Sequence, residues 1–175
     1  MRWTTKQLTT MALLTAIALA IHVAEEQIPP LVAIPGVKLG LANIVTVYAV
    51  FSIGGGAAAM ILIARILLGS MFGGGVVSLL YSLAGGILCL LVTLALRRLL
   101  TLRQIWVAGV MGAIAHNIGQ ILVAVVVTGT PSIVSYLPVL LISGVITGTF
   151  TGFAAHAVVN RLGKRTTQSK DKKDD

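Results

Sequence analysis

The sequence is poor in charged residues, which make up 10% of the chain, against about a quarter in an average soluble domain. Half of them lie in the last fifteen positions, so residues 1–160 contain only nine. A soluble globule cannot cover its surface with so few charged groups. Together with 57% hydrophobic residues and a mean hydropathy of +0.98, this scarcity excludes a soluble enzyme, a nucleic-acid binder and a disordered chain. It indicates an integral membrane protein.

Cysteine, aspartate and nucleotide-binding motifs are also scarce or missing. Cys89 is the single cysteine, which excludes a disulfide framework and a thiolate metal site. No GxxxxGK[ST] or HExxH motif occurs, so neither an ATPase phosphate loop nor a zinc-peptidase site is predicted. Aspartate occurs only from residue 171 onward, so the clustered carboxylates of magnesium-dependent diphosphate chemistry are lacking. We therefore expect no catalytic residues, no metal and no cofactor.

Uncharged stretches divided by glycine and proline clusters predict about six membrane-spanning helices. Three of the breaks are marked by residues 54–56, residues 73–75 and residues 128–132, which are rich in glycine or other turn-forming residues. The expected fold is an all-α polytopic bundle in residues 1–160, followed by a basic, solvated tail in residues 161–175. The predicted spans lie near residues 8–28, 39–53, 57–72, 76–96, 105–128 and 136–160.

The distribution of basic residues predicts that both termini are cytoplasmic. In this orientation the inner segments carry eleven basic residues, Lys38 is the only one outside, and Arg65 lies within the membrane. The first twenty residues resemble a secretory signal peptide, but cleavage would leave five spans and spoil the charge asymmetry. We therefore expect an uncleaved first span in a multi-pass plasma-membrane protein.

Small residues recur at four-residue spacing along the first helix, at Ala12, Ala16, Ala20 and Ala24. Such a row lets another helix approach closely, which is how helices associate when lipid is as apolar as leucine. Two interpretations remain open. The row packs inside this protein's own bundle, or it docks a separate membrane subunit.

Arg65 is the one charged residue predicted deep in the membrane, near the middle of the third helix. An arginine at this depth is costly and should face the bundle interior with a partner. The partner is either Glu25 or Glu26 in a structural ion pair, or an anionic group of a ligand. A planar guanidinium suits both a carboxylate and a phosphate, so the two alternatives remain open.

Two further regions supply polar candidates. His116, Asn117 and Gln120 share one and a half turns of the fifth helix, where they either hydrogen-bond neighbouring helices or line a pocket for a polar ligand. The segment between the first two helices contains three prolines and either anchors the helix ends in the headgroups or forms a lid over a pocket. The candidate ligand-binding residues are Arg65, His116, Asn117, Gln120, Lys38, Asn43 and Glu25.

Four segments carry a family resemblance. They are residues 35–44 (PGVKLGLANI), 65–75 (RILLGSMFGGG), 78–86 (SLLYSLAGG) and 116–120 (HNIGQ). In this order they resemble the bacterial Gx transporter family, also labelled heptaprenyl diphosphate synthase component I, over about residues 8 to 160. That family is similar in fold to the S components of energy-coupling-factor transporters. S components are six-helix proteins that capture a micronutrient, and a module of two ATPases and a membrane coupling subunit drives the uptake.

The resemblance implies a substrate-binding subunit in a bacterial plasma membrane for ATP-driven uptake of a small nutrient or precursor, with an anionic one suited to Arg65. The alanine row would dock the coupling subunit, and the proline-rich segment would be the outer gating loop. Arg2 stands where nickel and cobalt S components carry histidine, which argues against metal uptake. The expected partners are the bilayer, a small-molecule ligand, the coupling subunit and the ATPase pair, without nucleic acid.

The family label also implies an alternative function. The chain would then be a membrane accessory protein of isoprenoid, polyprenyl diphosphate or quinone biosynthesis. Prenyl synthases use aspartate-rich motifs, and this sequence has none, so we expect such a protein to bind an isoprenoid precursor rather than extend it.

Overall fold

The structure, a computed structural model, describes residues 3–28 and 38–171, including the side chains of all these except 73, 74 and 162–171. Helices dominate the described residues and no strand occurs among them, which confirms the all-α class. The proline-rich residues 29–37, predicted as a gating loop, lie outside this part of the chain. The six α-helices are α1 Thr5–Glu26, α2 Asn43–Ser52, α3 Gly55–Gly69, α4 Gly75–Arg97, α5 Ile105–Thr128 and α6 Leu137–Asp171.

Five of these helices, all except α2, are long and apolar enough to cross a membrane; for α3 this includes part of the π-helical turn Ser70–Gly74 that follows it. Large apolar side chains such as Leu13, Met71 and Phe150 remain exposed on the outside of the bundle, as lipid-facing residues do. Continuing to Asp171, α6 enters the region that the sequence predicted as a solvated tail.

The second predicted span is shorter than expected. Instead of residues 39–53, α2 covers ten residues, or about 15 Å, which is half of the hydrocarbon thickness of about 30 Å. Glycines with positive φ stop it at both ends, because Gly40 has φ 79° and Gly54 has φ 118°, neither of which is helical. The second predicted helix is therefore present, with its ends inside the predicted bounds, and irregular backbone flanks it.

The short helix α2 lies in the centre of the bundle. Its side chains pack on one side with α1 and α3 and on the other with α5 and α6. A Cβ atom at Gly69, the last residue of α3, would lie 2.7 Å from Cδ2 of His22 near the end of α1. Since α1 and α3 end together, the chain must return between them, and α2 makes that passage. Irregular backbone is tolerated at this depth because protein surrounds it.

Glycines bring α5 and α6 into backbone contact. A Cβ atom at Gly148 would lie 2.6 Å from Cα of Val110, and one at Gly152 would lie 2.7 Å from Cα of Trp106. Distances this short leave no room for a side chain and are typical of small-residue packing in membranes. These glycines of α6 therefore fix α6 against α5.

We expect Gly148→Val to lower the midpoint of thermal unfolding in detergent, because the added side chain must push the two helices apart. Overpacking of this kind costs about 1–3 kcal/mol. Thr149→Val is the matched control, since the neighbouring residue lies on the outer side of α6, where its hydroxyl bonds only to the carbonyl of Val145. Equal midpoints for the two variants would contradict the close contact.

Candidate ligand-binding site

Buried polar side chains gather in the half of the bundle where α1 ends and α2 begins. We call the set of His22, Glu25, Glu26, Lys38, Asn43, Arg65, His116 and Gln120 the polar cluster. Except for Glu26 and Lys38, each of these residues is 5% exposed or less. Four helices and the turn before α2 supply the set, so the structure brings together six of the seven predicted ligand-binding residues, and His22 and Glu26 join them.

Glu25 holds the start of α2. Its Oε1 accepts a hydrogen bond from the backbone N–H of Gly40 at 2.5 Å, and its Oε2 accepts one from Leu41 at 3.1 Å. The first N–H groups of a helix and of the turn leading into it have no partners within the helix itself. At membrane depth each unsatisfied group is expensive, and the end of a helix carries a partial positive charge that a carboxylate complements. Glu25 thus caps, from a different helix, the turn that leads into α2.

Lys38 is held by side chains of α1. Its Nζ donates to Oε1 of Glu26 at 2.7 Å and faces Nε2 of His22 at 3.2 Å. Nε2 of His22 also lies 3.7 Å from Oε1 of Glu26. This group of three connects the last turn of α1 to the chain entering α2.

Gln120 joins the backbone of Lys38 to α5. Its amide has one orientation that satisfies all its neighbours, in which Nε2 donates to the carbonyl of Lys38 at 3.0 Å. In that orientation Oε1 accepts from the N–H of Lys38 at 3.2 Å and from Nε2 of His116 at 3.0 Å. Gln120 is fully buried, so these bonds replace the water it would otherwise require.

His116 is wedged between two glycines. A Cβ atom at Gly40 would lie 2.7 Å from its Cδ2, and one at Gly85 would lie 2.5 Å from its Nδ1. Side chains at either position would expel the imidazole. Both glycines lie in segments that carried the family resemblance, so the close fit of His116 gives a physical reason for glycine at those positions.

Arg65 is buried, with 4% exposure, and its guanidinium is only partly engaged. Nη1 faces Nδ1 of His22 at 3.5 Å. Nε and Nη2, which form the other edge of the group, have no hydrogen-bond partner in residues 3–28 and 38–171. The ion pairs of the described chain join Glu26 to Lys38 and to His22, and none reaches Arg65. The structural ion pair considered for Arg65 is therefore not formed there, and a two-donor edge is left open.

Asn117 is directed away from the polar cluster. Its Nδ2 donates to the backbone carbonyl of Leu140 on α6 at 2.6 Å, and the amide packs against Gly144. This is the role of tying neighbouring helices together, the first of the two interpretations open for the polar residues of α5.

His22 and Glu26 were not among the candidates from the sequence. His22 precedes Glu25 by three residues and Glu26 by four, so all three share one face of α1. A polar row at that spacing in an apolar helix was the signal that would have identified them.

The alanine row lies on the outside of the bundle. Ala12, Ala16, Ala20 and Ala24 are all exposed, while Ala18 and His22 on another face of α1 are buried. The interpretation that the row packs inside this protein's own bundle was therefore wrong, and a face of small side chains is left open along α1.

The chemistry of the polar cluster is that of binding. Both acidic side chains are engaged by hydrogen-bond donors, whereas Arg65 keeps unpaired donors in a buried place. In the described part of the chain no group of three or more histidine, cysteine or acidic residues is placed to hold a metal ion. Unpaired guanidinium donors are of the kind that bind a carboxylate or a phosphate.

The family comparison agrees with the sequence motifs. A family model described as heptaprenyl diphosphate synthase component I matches residues 14–158, a range that contains the whole polar cluster. The label predicted from the four segments is thereby confirmed, whereas the similarity to S components stays a prediction. No curated protein and no solved structure matches the chain significantly.

We expect Glu25→Gln to speed hydrogen exchange at the backbone amides of Gly40 and Leu41. The amide side chain keeps one acceptor but turns its own N–H groups towards a donor, so one of the two capping bonds is lost. Loss of such a bond in a buried place costs about 1–3 kcal/mol, which corresponds to roughly 5- to 150-fold faster exchange through local opening. Glu26→Gln is the control, since it removes a contact of Lys38 and leaves both amides protected. Equal protection in the two variants would contradict the capping role.

Proposed function

We propose that this chain, which belongs to the heptaprenyl diphosphate synthase component I family, is the substrate-binding membrane subunit of an uptake system for a small anionic nutrient or precursor. It binds the ligand in the polar cluster and performs no covalent chemistry. Its role resembles that of the S components of energy-coupling-factor transporters.

The observation that carries the proposal is the open edge of Arg65. Nε–H and Nη2–H lie parallel on one edge of a guanidinium and match two oxygens of a carboxylate or phosphate. The Arg65 guanidinium has no carboxylate at ion-pair distance among the described residues, so the cost of its desolvation is only partly compensated. An anionic ligand supplies the compensation, so the cost of burying Arg65 becomes binding energy.

The orientation expected from the basic residues indicates from which side of the membrane a ligand reaches the polar cluster. With both termini in the cytoplasm of a bacterium, the end of α1 and the start of α2 face outward, and so does the polar cluster. A ligand then enters from outside. The chain has no ATP-binding motif, so the energy for release to the inside comes from partner proteins, namely a membrane coupling subunit and two ATPases.

The exposed alanine row supports such a partner. Four small side chains on the outside of α1 provide a face on which a helix of another subunit packs closely. Since α1 also supplies His22, Glu25 and Glu26 to the polar cluster, a partner on this face contacts the same helix as the ligand.

A second candidate function is a membrane accessory protein of isoprenoid biosynthesis. A groove of about 350 Å³ between α1, α2 and α6 favours it, together with the description of the family. The groove is lined almost entirely by apolar side chains, including Leu14, Ile17, Ile44 and Val158, with Tyr48 among them. Its shape and chemistry suit a hydrocarbon chain.

We expect wild-type protein purified in mild detergent to retain an anion, detected by mass spectrometry, that Arg65→Gln loses. Loss of two charge-assisted hydrogen bonds reduces occupancy at least tenfold. Arg65→Lys keeps the charge without the two-donor edge and should fall between the two. Arg97→Gln, at the opposite end of the bundle, is the control. An anion retained equally by Arg65→Gln would refute the binding role, and recovery of a prenyl diphosphate would favour the second candidate.

We expect tagged protein from native membranes to co-purify with one membrane coupling subunit and two ATPases, and Ala16→Leu to abolish this. Leucine at position 16 keeps the helix apolar but separates it from a closely packed partner. Ala157→Leu enlarges an exposed alanine of α6 and should leave the complex intact. The transport proposal is contradicted if ATPases never co-purify with the wild type, or if Ala16→Leu and Ala157→Leu affect the complex equally.

A further inference from the structure

Asn43 is the other polar residue of the cluster whose side chain is left without partners. It is 4% exposed, and neither Oδ1 nor Nδ2 has a hydrogen-bond partner within the described residues. Buried amide groups are nearly always paired, and leaving one unpaired is costly. An amide with both ends free therefore calls for a group that is absent from the folded chain alone.

The unpaired side chain of Asn43 is more informative because of its position at the start of α2. Asparagine near the start of a helix usually turns back to accept a hydrogen bond from the helix's own N–H groups. Asn43 is the first residue of α2, one position past the N-cap residue Ala42, and its side chain makes no such bond. The N–H groups of residues 43–45 donate instead to the carbonyls of Gly40, Leu41 and Ala42. The amide is thereby freed from the structural task that its position would assign to it.

Asn43 and Arg65 belong to one connected set of contacts. A Cβ atom at Gly40 would lie 2.8 Å from Nδ2 of Asn43 and 2.7 Å from Cδ2 of His116. From His116 the contacts continue through Gln120 and the backbone of Lys38, whose Nζ faces His22, and His22 faces Arg65. The unpaired donor–acceptor amide and the unpaired two-donor edge therefore lie in the same buried cluster.

We propose that the ligand carries two groups: a carboxylate or phosphate held by Arg65, and an uncharged amide-like edge, with a hydrogen-bond donor beside an acceptor, held by Asn43. Primary amides, lactams and imides have such an edge, and asparagine pairs with edges of this type through two hydrogen bonds. This inference rests on the proposed function, because it names the class of the anion that the same site binds. It excludes inorganic phosphate, simple fatty acids and prenyl diphosphates.

The test compares the anion that co-purifies with the wild type and with Asn43→Leu, Asn43→Asp and Arg65→Gln. Leucine has nearly the size of asparagine but no polar atoms, and aspartate removes the donor and repels an anion. We expect both Asn43 variants to lose at least tenfold in occupancy, and the wild-type anion to contain an amide-like group. Thr93→Val, which removes another unpaired buried polar group in α4, is the control and should keep wild-type occupancy.

Thermal unfolding of the ligand-free proteins separates this role from a structural one. Because the amide of Asn43 has no partner in residues 3–28 and 38–171, Asn43→Leu should unfold at the same temperature as the wild type or higher. If Asn43→Leu keeps full occupancy while Arg65→Gln loses the anion, Asn43 binds only water, and this inference fails while the proposed function stands. The inference fails in the same way if the recovered anion has no donor–acceptor edge, or if ligand-free Asn43→Leu is less stable. If no anion depends on Arg65, both fail.

Discussion

The rest of the polar cluster depends on the two hydrogen bonds that the Glu25 carboxylate accepts from the backbone N–H groups of Gly40 and Leu41. A helix of ten residues cannot cross a bilayer, so the chain that leads into α2 is irregular inside the bundle, where lipid offers no hydrogen bonds. The Glu25 carboxylate satisfies two of those N–H groups from α1. These two bonds fix the path of residues 38–42. Along that path Lys38 contacts α1 and Gln120, and Gly40 contacts His116.

The consequence for the cluster is an imbalance between hydrogen-bond donors and acceptors. Glu25 is used by the backbone, and Glu26 is used by Lys38, so the two carboxylates of the membrane region are both engaged. Arg65 then has only one ring nitrogen of His22 to face. The free edge of the guanidinium arises from this distribution of partners. The side chain of Asn43 is left over because the first N–H groups of α2 already donate to the carbonyls of Gly40, Leu41 and Ala42.

Part of this could be predicted from the sequence. The scarcity of charged residues predicted a membrane protein, and the glycine clusters predicted the helix breaks on either side of α3. The predicted depth of Arg65 in the membrane indicated that its guanidinium needs a partner. The limits of α2 were not predicted, because the positive φ of Gly40 depends on tertiary contacts with His116 and Asn43. The role of Glu25 was not predicted either, because a carboxylate that bonds to the backbone of a distant segment produces no periodic pattern in the sequence. The exposure of the alanine row likewise depends on which helices neighbour α1, and spacing alone carries no such information.

The sequence separation of the contacts sets the order in which the protein is completed during synthesis. The bonds from Glu25 span 15 and 16 residues, so α1 and the start of α2 can associate as soon as both have left the ribosome. The contact between Lys38 and Gln120 spans 82 residues and must wait for α5. Until then Lys38 and Gly40 have their partners on α1 but lack their contacts with Gln120 and His116 of α5. The polar cluster is therefore incomplete until α5 has been synthesised and has packed against the preceding helices.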